Sequence, residues 1–286
     1  MKISIYGENQ EMQKLSSPAV FTPSSENRNV PQDFKEAKMG ISIVIPAYNE
    51  KDRIKKSLDS YIPVIESFNI SYEIIVVIDG NDGTEDIIRN YKNLKYFKSN
   101  ERLGKGGAVK KGLLMAQYQY AGFIDADGSL APEDFKKLLQ QIQNNSCVIS
   151  SRYLRDSKWI NQEPLFNRFA SRGFNLIVNL VLHLKVKDTQ CGAKFFKFDI
   201  IKKIIPHIQV SNRTFDVDIL YHIKRLGYNI KEIPVTWNHS KGSRMPIKDA
   251  IFPMFITVIA IKLMNSRIKD YVPEFLFRIV SKFKVY

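Results

Sequence analysis

Residues 41–50 read ISIVIPAYNE and give the first indication of the architecture. Ile41–Ile45 is a short, mostly β-branched apolar run that ends at Pro46, which predicts a buried strand. A helical pattern follows over Arg53–Phe68, and Glu73–Ile78 has the composition of a second buried strand. Strands that alternate with helices in this way indicate a mostly parallel sheet.

The alternation continues along the chain as far as about residue 150. The predicted elements are a strand at Leu94–Phe97, a helix at Gly106–Gln119, a strand at Ala121–Ile124, a helix at Pro132–Gln143 and a strand at Cys147–Ser150. We therefore expect an α/β fold, a three-layer α/β/α sandwich with a mostly parallel sheet.

Three segments of the chain differ in composition. Residues 1–38 are polar, with five basic and five acidic side chains, and we expect a mobile tail. Residues 39–245 hold the α/β domain. Residues 246–286 are apolar and basic, and Leu276–Phe283 has apolar residues at the i, i+3, i+4 and i+7 spacing of an amphipathic helix. That helix lies either at a membrane interface or against the domain.

Composition narrows the class of protein. The chain has 286 residues, 44% of them hydrophobic and 25% charged, as in ordinary globular proteins. Its net charge of +14 favours an anionic partner such as nucleic acid, a membrane surface or a phosphorylated substrate, or else reflects only a basic soluble surface. Cys147 and Cys191 form no CxxC pair, so we expect a reducing compartment and neither disulfides nor a cysteine-based zinc site.

The apolar runs are too short to cross a membrane. Gly173–Leu184 and Ala250–Ile261 are uncharged runs of 12 residues each. At ~1.5 Å per residue such a run spans about 18 Å, less than the ~30 Å hydrocarbon core. The N-terminal residues also lack the apolar core of a signal peptide. We expect a cytosolic protein that contacts a membrane only at its surface.

Acidic residues follow two of the predicted strands. Asp79 and Asp125 each end an apolar strand, and ligands of open α/β sheets bind at such carboxyl ends, although aspartate is also a common turn residue. Asp125-Ala126-Asp127 places two carboxylates where they could share a divalent cation that bridges a diphosphate. Gly104-Lys105-Gly106-Gly107 matches neither the P-loop nor the Rossmann pattern, and is either a flexible helix start or a phosphate contact.

Six motifs occur in a fixed order: SIVIPAYNE (42–50), VVIDGNDGT (76–84), DADGS (125–129), SSRY (150–153), DTQCGAKFF (188–196) and FDVDIL (215–220). Over about residues 41–244 this set resembles family 2 glycosyltransferases, and among them the dolichyl- or polyprenyl-phosphate hexosyltransferases. The β-glucosyltransferases of that group are the most similar, followed by its mannose synthases. The resemblance implies a GT-A fold, and with the short apolar runs and the basic charge we expect peripheral attachment at the cytoplasmic face of a membrane.

The same resemblance implies a reaction. One hexose moves with inversion from a nucleotide sugar, with UDP-glucose favoured, to a dolichyl or polyprenyl phosphate, with Mg²⁺ or Mn²⁺ as cofactor. A GDP-mannose donor and a saccharide acceptor stay open as alternatives. A basic nucleic-acid-binding protein would explain the charge but not the acids at the strand ends, so we expect no nucleic-acid partner.

Residue roles follow from the matching motif positions. The implied nucleotide-sugar site comprises Pro46, Ala47, Tyr48, Glu50, Ile78, Asp79, Lys105, Asp125, Ala126, His239 and Arg244. The implied metal ligands are Asp125, Asp127 and Ser129, and the implied catalytic acids are Asp127, Asp216 and Asp218. Residues two apart do not share a helix face, so at most one of Asp216 and Asp218 is expected to face the site, and both could instead be acids of a helix N-terminus.

The implied acceptor site is basic. Residues 150–187 carry seven basic and two acidic side chains around the apolar run Gly173–Leu184. Arg152, Arg168 and Arg172 are the implied contacts of the lipid phosphate, because guanidinium groups suit phosphate oxygens. We expect Gly173–Leu184 and the C-terminal helices to contact the membrane.

Overall fold

The computed structural model describes residues 37–92, 94–161, 165–210, 212–238 and 247–266. Its strands are β1 (Lys38–Ala47), β2 (Tyr72–Ile78), β3 (Leu94–Lys98), β4 (Tyr118–Ile124), β5 (Cys147–Ser151), β6 (Lys158–Asn161), β7 (Ala193–Lys197), β8 (Ile230–Pro234) and β9 (Thr236–Asn238). Its α-helices are α1 (Lys51–Glu66), α2 (Thr84–Ile88), α3 (Gly104–Met115), α4 (Pro132–Ile142), α5 (Leu165–Leu182), α6 (Phe198–Ile204), α7 (Phe215–Arg225) and α8 (Ile247–Met264).

The described strands form one large and one small sheet. The large sheet has the order β3-β2-β1-β4-β7-β5-β8, and the small sheet pairs β6 with β9. In the large sheet only β7 runs antiparallel to its neighbours, so the sheet is mostly parallel, which confirms the predicted class.

Apolar side chains fill both faces of the sheet. In β1, Ile43 and Ile45 belong to a core shared with α1, α2 and α4, whereas Val44 belongs to a core shared with α3 and α5–α8. This alternation is the period of two that a strand imposes on its side chains. The result is the predicted three-layer sandwich, because each face needs its own cover of helices.

The central strands bring the predicted acids together. β1 lies between β2 and β4 and is parallel to both, so the loops after all three strands open at one edge. Those loops carry Tyr48, Asp79 and Asp125. The chain runs from β1 to β2 and β3 on one side and then crosses to β4 on the other side. The edge at such a change of direction is where open α/β sheets bind ligands.

Some element boundaries differ from the sequence prediction. α3 begins at Gly104, two residues earlier than expected, because the Asp79 carboxylate accepts the backbone N–H groups of Leu103 and Gly104. That partner comes from another strand and is invisible to a local pattern. β4 also begins earlier, at Tyr118, and the small β6–β9 sheet was not predicted at all.

The segments assigned to a membrane have mixed surroundings. Helix α8 packs on α5, with Val258 and Ile261 in the core that the two helices share. Among the described residues, no helix is both long and apolar enough to cross a bilayer. β1 starts at Lys38, the last residue assigned to the tail. Residues 1–36 and the helix expected at Leu276–Phe283 lie outside the described residues.

Candidate functional site

The loops after β1 and β2 hold each other in place. Asn49 adopts a left-handed conformation with φ 56°, and its side-chain oxygen accepts the Asn81 N–H at 3.1 Å. The Glu50 N–H bonds the Thr84 hydroxyl at 3.0 Å, and the Lys51 N–H bonds Asp82 Oδ2 at 3.0 Å. These hydrogen bonds between the two loops fix the segment in which Pro46, Ala47 and Tyr48 were predicted to contact a nucleotide.

A carboxylate and a stacked pair form the rim of this edge. The buried Asp79 carboxylate, which follows Ile78, forms an ion pair with Arg102 and also caps α3. The Arg102 guanidinium carbon lies 3.4 Å from the centre of the Tyr48 ring. Stacking of an arginine on an aromatic ring leaves flat surfaces beside a carboxylate, an arrangement that suits a planar heterocyclic base.

The DADGS loop is anchored from two sides. From helix α1, the Ser57 hydroxyl donates to the Ala126 carbonyl at 2.7 Å. The Ser129 N–H donates to Asp127 Oδ1 at 3.0 Å, and its carbonyl accepts the Asn238 N–H at 2.9 Å. Gly128 has φ +69°, which a glycine adopts without strain. Asp127 is therefore held in a fixed turn, and Ser129 is buried.

Asp125 lies between a cation and a glycine. Its Oδ1 is 2.6 Å from Lys105 Nζ, and its N–H donates to the Gly192 carbonyl at 3.0 Å. A Cβ atom on Gly192 would come within 2.5 Å of Asp125 Oδ2, so only glycine leaves room for this carboxylate. Burial raises the pKa of Asp125 above its usual value; Lys105 opposes the shift and Asp127 adds to it.

Glu50 is a fourth acid of this edge, after Asp79, Asp125 and Asp127. Its side chain is 14% exposed, Arg53 Nη2 lies 2.8 Å from Oε1, and Oε2 has no hydrogen-bond partner among the described residues. Burial raises the pKa of Glu50 to about 7; Arg53 opposes the shift, and the charges of Asp127 and Asp125 add to it. A cation near these acids would relieve their mutual repulsion.

The donor set at this edge fits a hard divalent cation. Carboxylate oxygens are the ligands that Mg²⁺ and Mn²⁺ prefer. In the described part of the chain no three His, Cys, Asp or Glu side chains come together as a complete metal site. A cation here would therefore rest on Asp125 and Asp127 and take its other ligands from substrate phosphates and water, as Mg²⁺ usually does.

The two acids of α7 point to different surroundings. Asp216 Oδ1 accepts a hydrogen bond at 2.6 Å from the fully buried Lys194, and its charge also acts on Lys105 and Asp125. Asp218 Oδ2 instead accepts the N–H groups of Gln209 and Val210 at 2.8 and 3.1 Å. Asp218 Oδ1 also lies 3.3 Å from His222 Nε2, and its charge acts on Lys110. The two acids therefore face different groups, as the helical spacing predicts.

The three arginines predicted at the acceptor site share one aromatic cluster, which we define as Tyr153, Trp159 and Trp237. The Arg152 guanidinium carbon lies 5.3–5.9 Å from all three ring centres. Arg168 lies 5.3 Å from the ring of Trp159, and Arg172 lies 5.7 Å from the ring of Tyr153. Residues that are 20 positions apart in sequence therefore meet in space, and guanidinium groups over aromatic rings are held in position.

Arg152 differs from the other two arginines in its partner. Its Nε and Nη2 donate to the two oxygens of the fully buried Asp188, at 2.8 and 3.0 Å. Burial disfavours the charge of Asp188, but Arg152 outweighs that effect and the pKa of Asp188 stays below its usual value. Arg168 is half-buried and Arg172 is exposed.

Several residues of the site had not been singled out from the sequence. Lys194, Asp188 and Gly192 all lie in the DTQCGAKFF motif, where a lysine within an apolar strand was a signal of an internal ion pair. Arg213 is half-buried, and burial lowers its pKa while Asp125 opposes the shift. His239 and Arg244, predicted to bind the donor, lie outside the described residues.

Comparison with curated proteins identifies relatives of one kind. The chain is 34% identical to a dolichyl-phosphate beta-glucosyltransferase of Saccharomyces cerevisiae, and the match covers 77% of this chain and 73% of that protein. It is 32% identical to the Dictyostelium discoideum protein of the same name, over 72% and 68% of the two chains. The human protein of that name is 28% identical, over 77% and 74%.

Comparison with solved structures supports the fold. Glucosyl-3-phosphoglycerate synthase of Mycobacterium tuberculosis, crystallised with Mn²⁺, UDP and glucosyl-3-phosphoglycerate, aligns with a TM-score of 0.57 at 19% identity and covers 79% of each chain. A second crystal structure of that enzyme holds Mg²⁺ and UDP, with a TM-score of 0.56. The model of glycosyl transferase family 2 matches residues 42–205. The chain therefore belongs to glycosyl transferase family 2.

Proposed function

We propose that the protein transfers glucose from UDP-glucose to a dolichyl or polyprenyl phosphate, and that the product is a β-linked lipid-phosphate sugar. The observation that carries this proposal is the segment 188–192. Asp188 at its start holds Arg152 in the arginine and aromatic cluster, while Gly192 at its end packs against Asp125. One short segment thus contacts both a site suited to a nucleotide diphosphate and a site suited to a lipid phosphate.

The donor would bind along the edge formed by β1, β2 and β4. The base stacks at Tyr48 and Arg102 beside Asp79, and the diphosphate lies toward Lys105, Asp125 and Asp127. A bound divalent cation supplies charge neutralisation for the departing diphosphate. Lys105 is the second residue of α3 and would add a positive charge near the same phosphates, where the helix N-terminus also favours anions.

The acceptor phosphate would be both the charged head of the lipid and the nucleophile. Its second pKa is ~6, so at neutral pH it already carries the negative oxygen that attacks the anomeric carbon. A bond forms between that oxygen and C1 while the bond from C1 to the UDP oxygen breaks, and attack from the opposite face inverts the configuration. Arg168 and Arg172 orient the phosphate, and no side chain needs to remove a proton.

The acceptor's chemistry also suggests the place of action. A polyprenyl chain lies in a bilayer, so a protein that modifies its phosphate must reach the membrane surface. We place the protein at the cytoplasmic face as a peripheral protein, where a nucleotide sugar is available. Its net charge of +14 supports contact with anionic lipids.

A labelled-sugar assay tests the proposal. Purified protein is incubated with labelled UDP-glucose or GDP-mannose, Mg²⁺ or Mn²⁺ and a polyprenyl phosphate, and label is counted in the lipid extract. We expect lipid-bound label with UDP-glucose that disappears with chelator. Incorporation from GDP-mannose alone would reassign the donor, and incorporation into an added saccharide instead of lipid would contradict the acceptor. The variant Asp156→Asn, at an exposed position, serves as the matched control for the Asp127→Asn variant.

A further inference from the structure

Helix α5 is apolar on its exposed side as well as on its buried side. Phe174, Val178 and Leu182 are buried in the core. Phe166, Phe169, Leu176 and Leu180 are 54, 71, 60 and 65% exposed. A surface helix normally presents polar residues to water, so this second apolar stripe requires an explanation.

The two sides of α5 face opposite directions. Leu176 is two residues after the buried Phe174, and Leu180 is two residues after the buried Val178. At 3.6 residues per turn, two residues correspond to a rotation of roughly 200° about the helix axis, so the side chains of each pair point in nearly opposite directions. Phe169 and Leu176 are seven residues apart and therefore share a face. We call Phe166, Phe169, Leu176 and Leu180 the apolar stripe.

Basic residues border the apolar stripe. Arg168 and Arg172 lie on α5 between its exposed and buried sides, and α5 contains no acidic residue. After α5 the chain exposes His183, Lys185 and Lys187 in alternation with the buried Leu184 and Val186. We call His183, Lys185 and Lys187 the basic row. At the end of the basic row, the Glu232 carboxylate accepts the backbone N–H groups of Lys187 and Asp188.

We propose that the apolar stripe and the basic row together form the surface that docks on an anionic phospholipid bilayer. Apolar side chains that insert at the boundary between headgroups and acyl chains, with cations at the headgroups, are the pattern of an interfacial helix. A second copy of this chain would bring a like-charged basic row against the first, which argues against self-association. The proposal rests on the proposed function in one respect: the acceptor is a membrane lipid.

The docking surface would place the arginines of the acceptor site at the height of the lipid headgroups. Because Arg168 and Arg172 border the apolar stripe and also contact the aromatic cluster, a lipid phosphate at headgroup height would reach them without leaving the bilayer. The run Gly173–Leu184, expected from the sequence to contact the membrane, therefore has two sides. One side is buried in the core and consists of Phe174, Val178, Leu182 and Leu184. The proposed membrane side begins before this run, at Phe166.

Vesicle flotation tests the surface directly. The full chain is mixed with vesicles of phosphatidylcholine, alone or with phosphatidylserine, at low and high salt. We expect binding to the anionic vesicles that salt weakens. The double variant Phe169→Ser, Leu176→Ser should lose about tenfold or more of that binding, because two apolar side chains no longer insert. Leu226→Ser, at a position 48% exposed directly after the end of α7, should float like the wild type.

A second variant tests the contribution of the basic row to vesicle binding. Lys185→Gln, Lys187→Gln should reduce binding to anionic vesicles and leave the weaker binding to phosphatidylcholine unchanged. Equal flotation of the wild type and the Phe169→Ser, Leu176→Ser variant would overturn the proposal. A second outcome would also overturn the proposal: the wild type is a dimer, the Phe169→Ser, Leu176→Ser variant is a monomer, and the two float equally. The apolar stripe would then be an interface between two copies of the chain.

A comparison of acceptors separates this proposal from the proposed function. The stripe variant should keep wild-type turnover on a short-chain, water-soluble polyprenyl phosphate and lose turnover on a long-chain acceptor embedded in vesicles. Equal losses on both acceptors would contradict a docking role. If the wild type glucosylates neither acceptor, the proposed function fails, and flotation still decides whether the surface binds membranes.

Discussion

The ammonium of Lys194 lies 2.6 Å from Asp216 Oδ1 and 2.7 Å from the carbonyl oxygen of Cys191, and none of it is exposed to solvent. Burial disfavours its charge, but Asp216 and its other neighbours outweigh that effect and keep the pKa of Lys194 above its usual value. Asp216 is thus committed to an internal ion pair. We interpret it as a positioning residue that acts through Lys194 and Lys105.

The Lys194–Asp216 pair predicts an asymmetry in stability. Lys194→Met should cost about 3–5 kcal/mol in free energy of unfolding, because it leaves a buried carboxylate without its cation. Adding Asp216→Asn removes the second charge and should recover part of that loss. Lys55→Met, which breaks an exposed pair with Asp59, should cost less than about 1 kcal/mol. Urea unfolding measures all three, and an equal cost for both single lysine variants would contradict the prediction.

Kinetics distinguish positioning from proton abstraction at Asp216. If Asp216 removed a proton from the acceptor, Asp216→Asn would abolish the acidic limb of the kcat/KM profile. We expect that limb to remain, with a loss of activity smaller than that of Asp127→Asn. Asp218→Asn should affect stability more than turnover, because Asp218 accepts backbone N–H groups.

Gly192 offers a test of how Asp125 is placed. Gly192→Ala would put a Cβ atom within 2.5 Å of Asp125 Oδ2 and 3.0 Å of Trp237, so the carboxylate must move. We expect a loss of turnover of about a hundredfold, approaching that of Asp125→Asn. Gly173→Ala is the matched control, since no atom lies within 4 Å of its added Cβ. Retention of wild-type turnover by Gly192→Ala would contradict this geometry.

The arginines should separate into two kinds. Arg168→Ala and Arg172→Ala should raise the KM for polyprenyl phosphate while UDP affinity, measured by calorimetry with Mn²⁺, stays within about twofold. Arg152→Ala should instead lower the free energy of unfolding by about 3–5 kcal/mol, because Asp188 is left buried and unpaired. A stable Arg152→Ala protein with only a raised acceptor KM would show that its pair with Asp188 is not structural.

Glu50 predicts a dependence of stability on pH. Its pKa of about 7 lies above that of the unfolded chain, so between the two values the folded protein binds a proton that the unfolded chain has released. Stability should therefore fall as pH rises toward about 7, by up to about 3 kcal/mol at ~1.36 kcal/mol per pKa unit. Glu50→Gln should remove this slope in thermal unfolding curves, whereas Glu101→Gln, at an exposed site, should keep it.

Local pattern was sufficient for the central architecture because β1 and β2 each contain a run of apolar residues, Ile43–Ile45 and Ile74–Ile78. Glu73–Ile78 was assigned as a strand from composition alone, and the alternation with helices predicted the parallel pairing that β1 and β2 show. The antiparallel strand β7 was not assigned because its pairing with β4 and β5 depends on contacts more than forty residues away in sequence. The first turn of α3 was missed for the same reason: its cap is Asp79.

For the candidate site, sequence spacing indicated which residues gather but not which of them pair. Asp79 and Asp125 were expected at one edge and lie there. The spacing of FDVDIL predicted that at most one of Asp216 and Asp218 faces the site, because a helix rotates 100° per residue, and the two acids have different hydrogen-bond partners. The partners Lys194 and Asp188 come from a strand and a loop distant in sequence, and no local rule connects them to Asp216 and Arg152.

Asp79 connects the two ends of the proposed donor site. One oxygen of its carboxylate receives Arg102, which stacks on Tyr48, and also caps the helix whose second residue is Lys105. The place where the base would bind and the place where the leaving group would depart are therefore both held by the Asp79 carboxylate. A nucleotide sugar with a poorly fitting base would displace Lys105 as well, so fidelity toward the donor would be exerted on the rate of bond cleavage and not on occupancy alone.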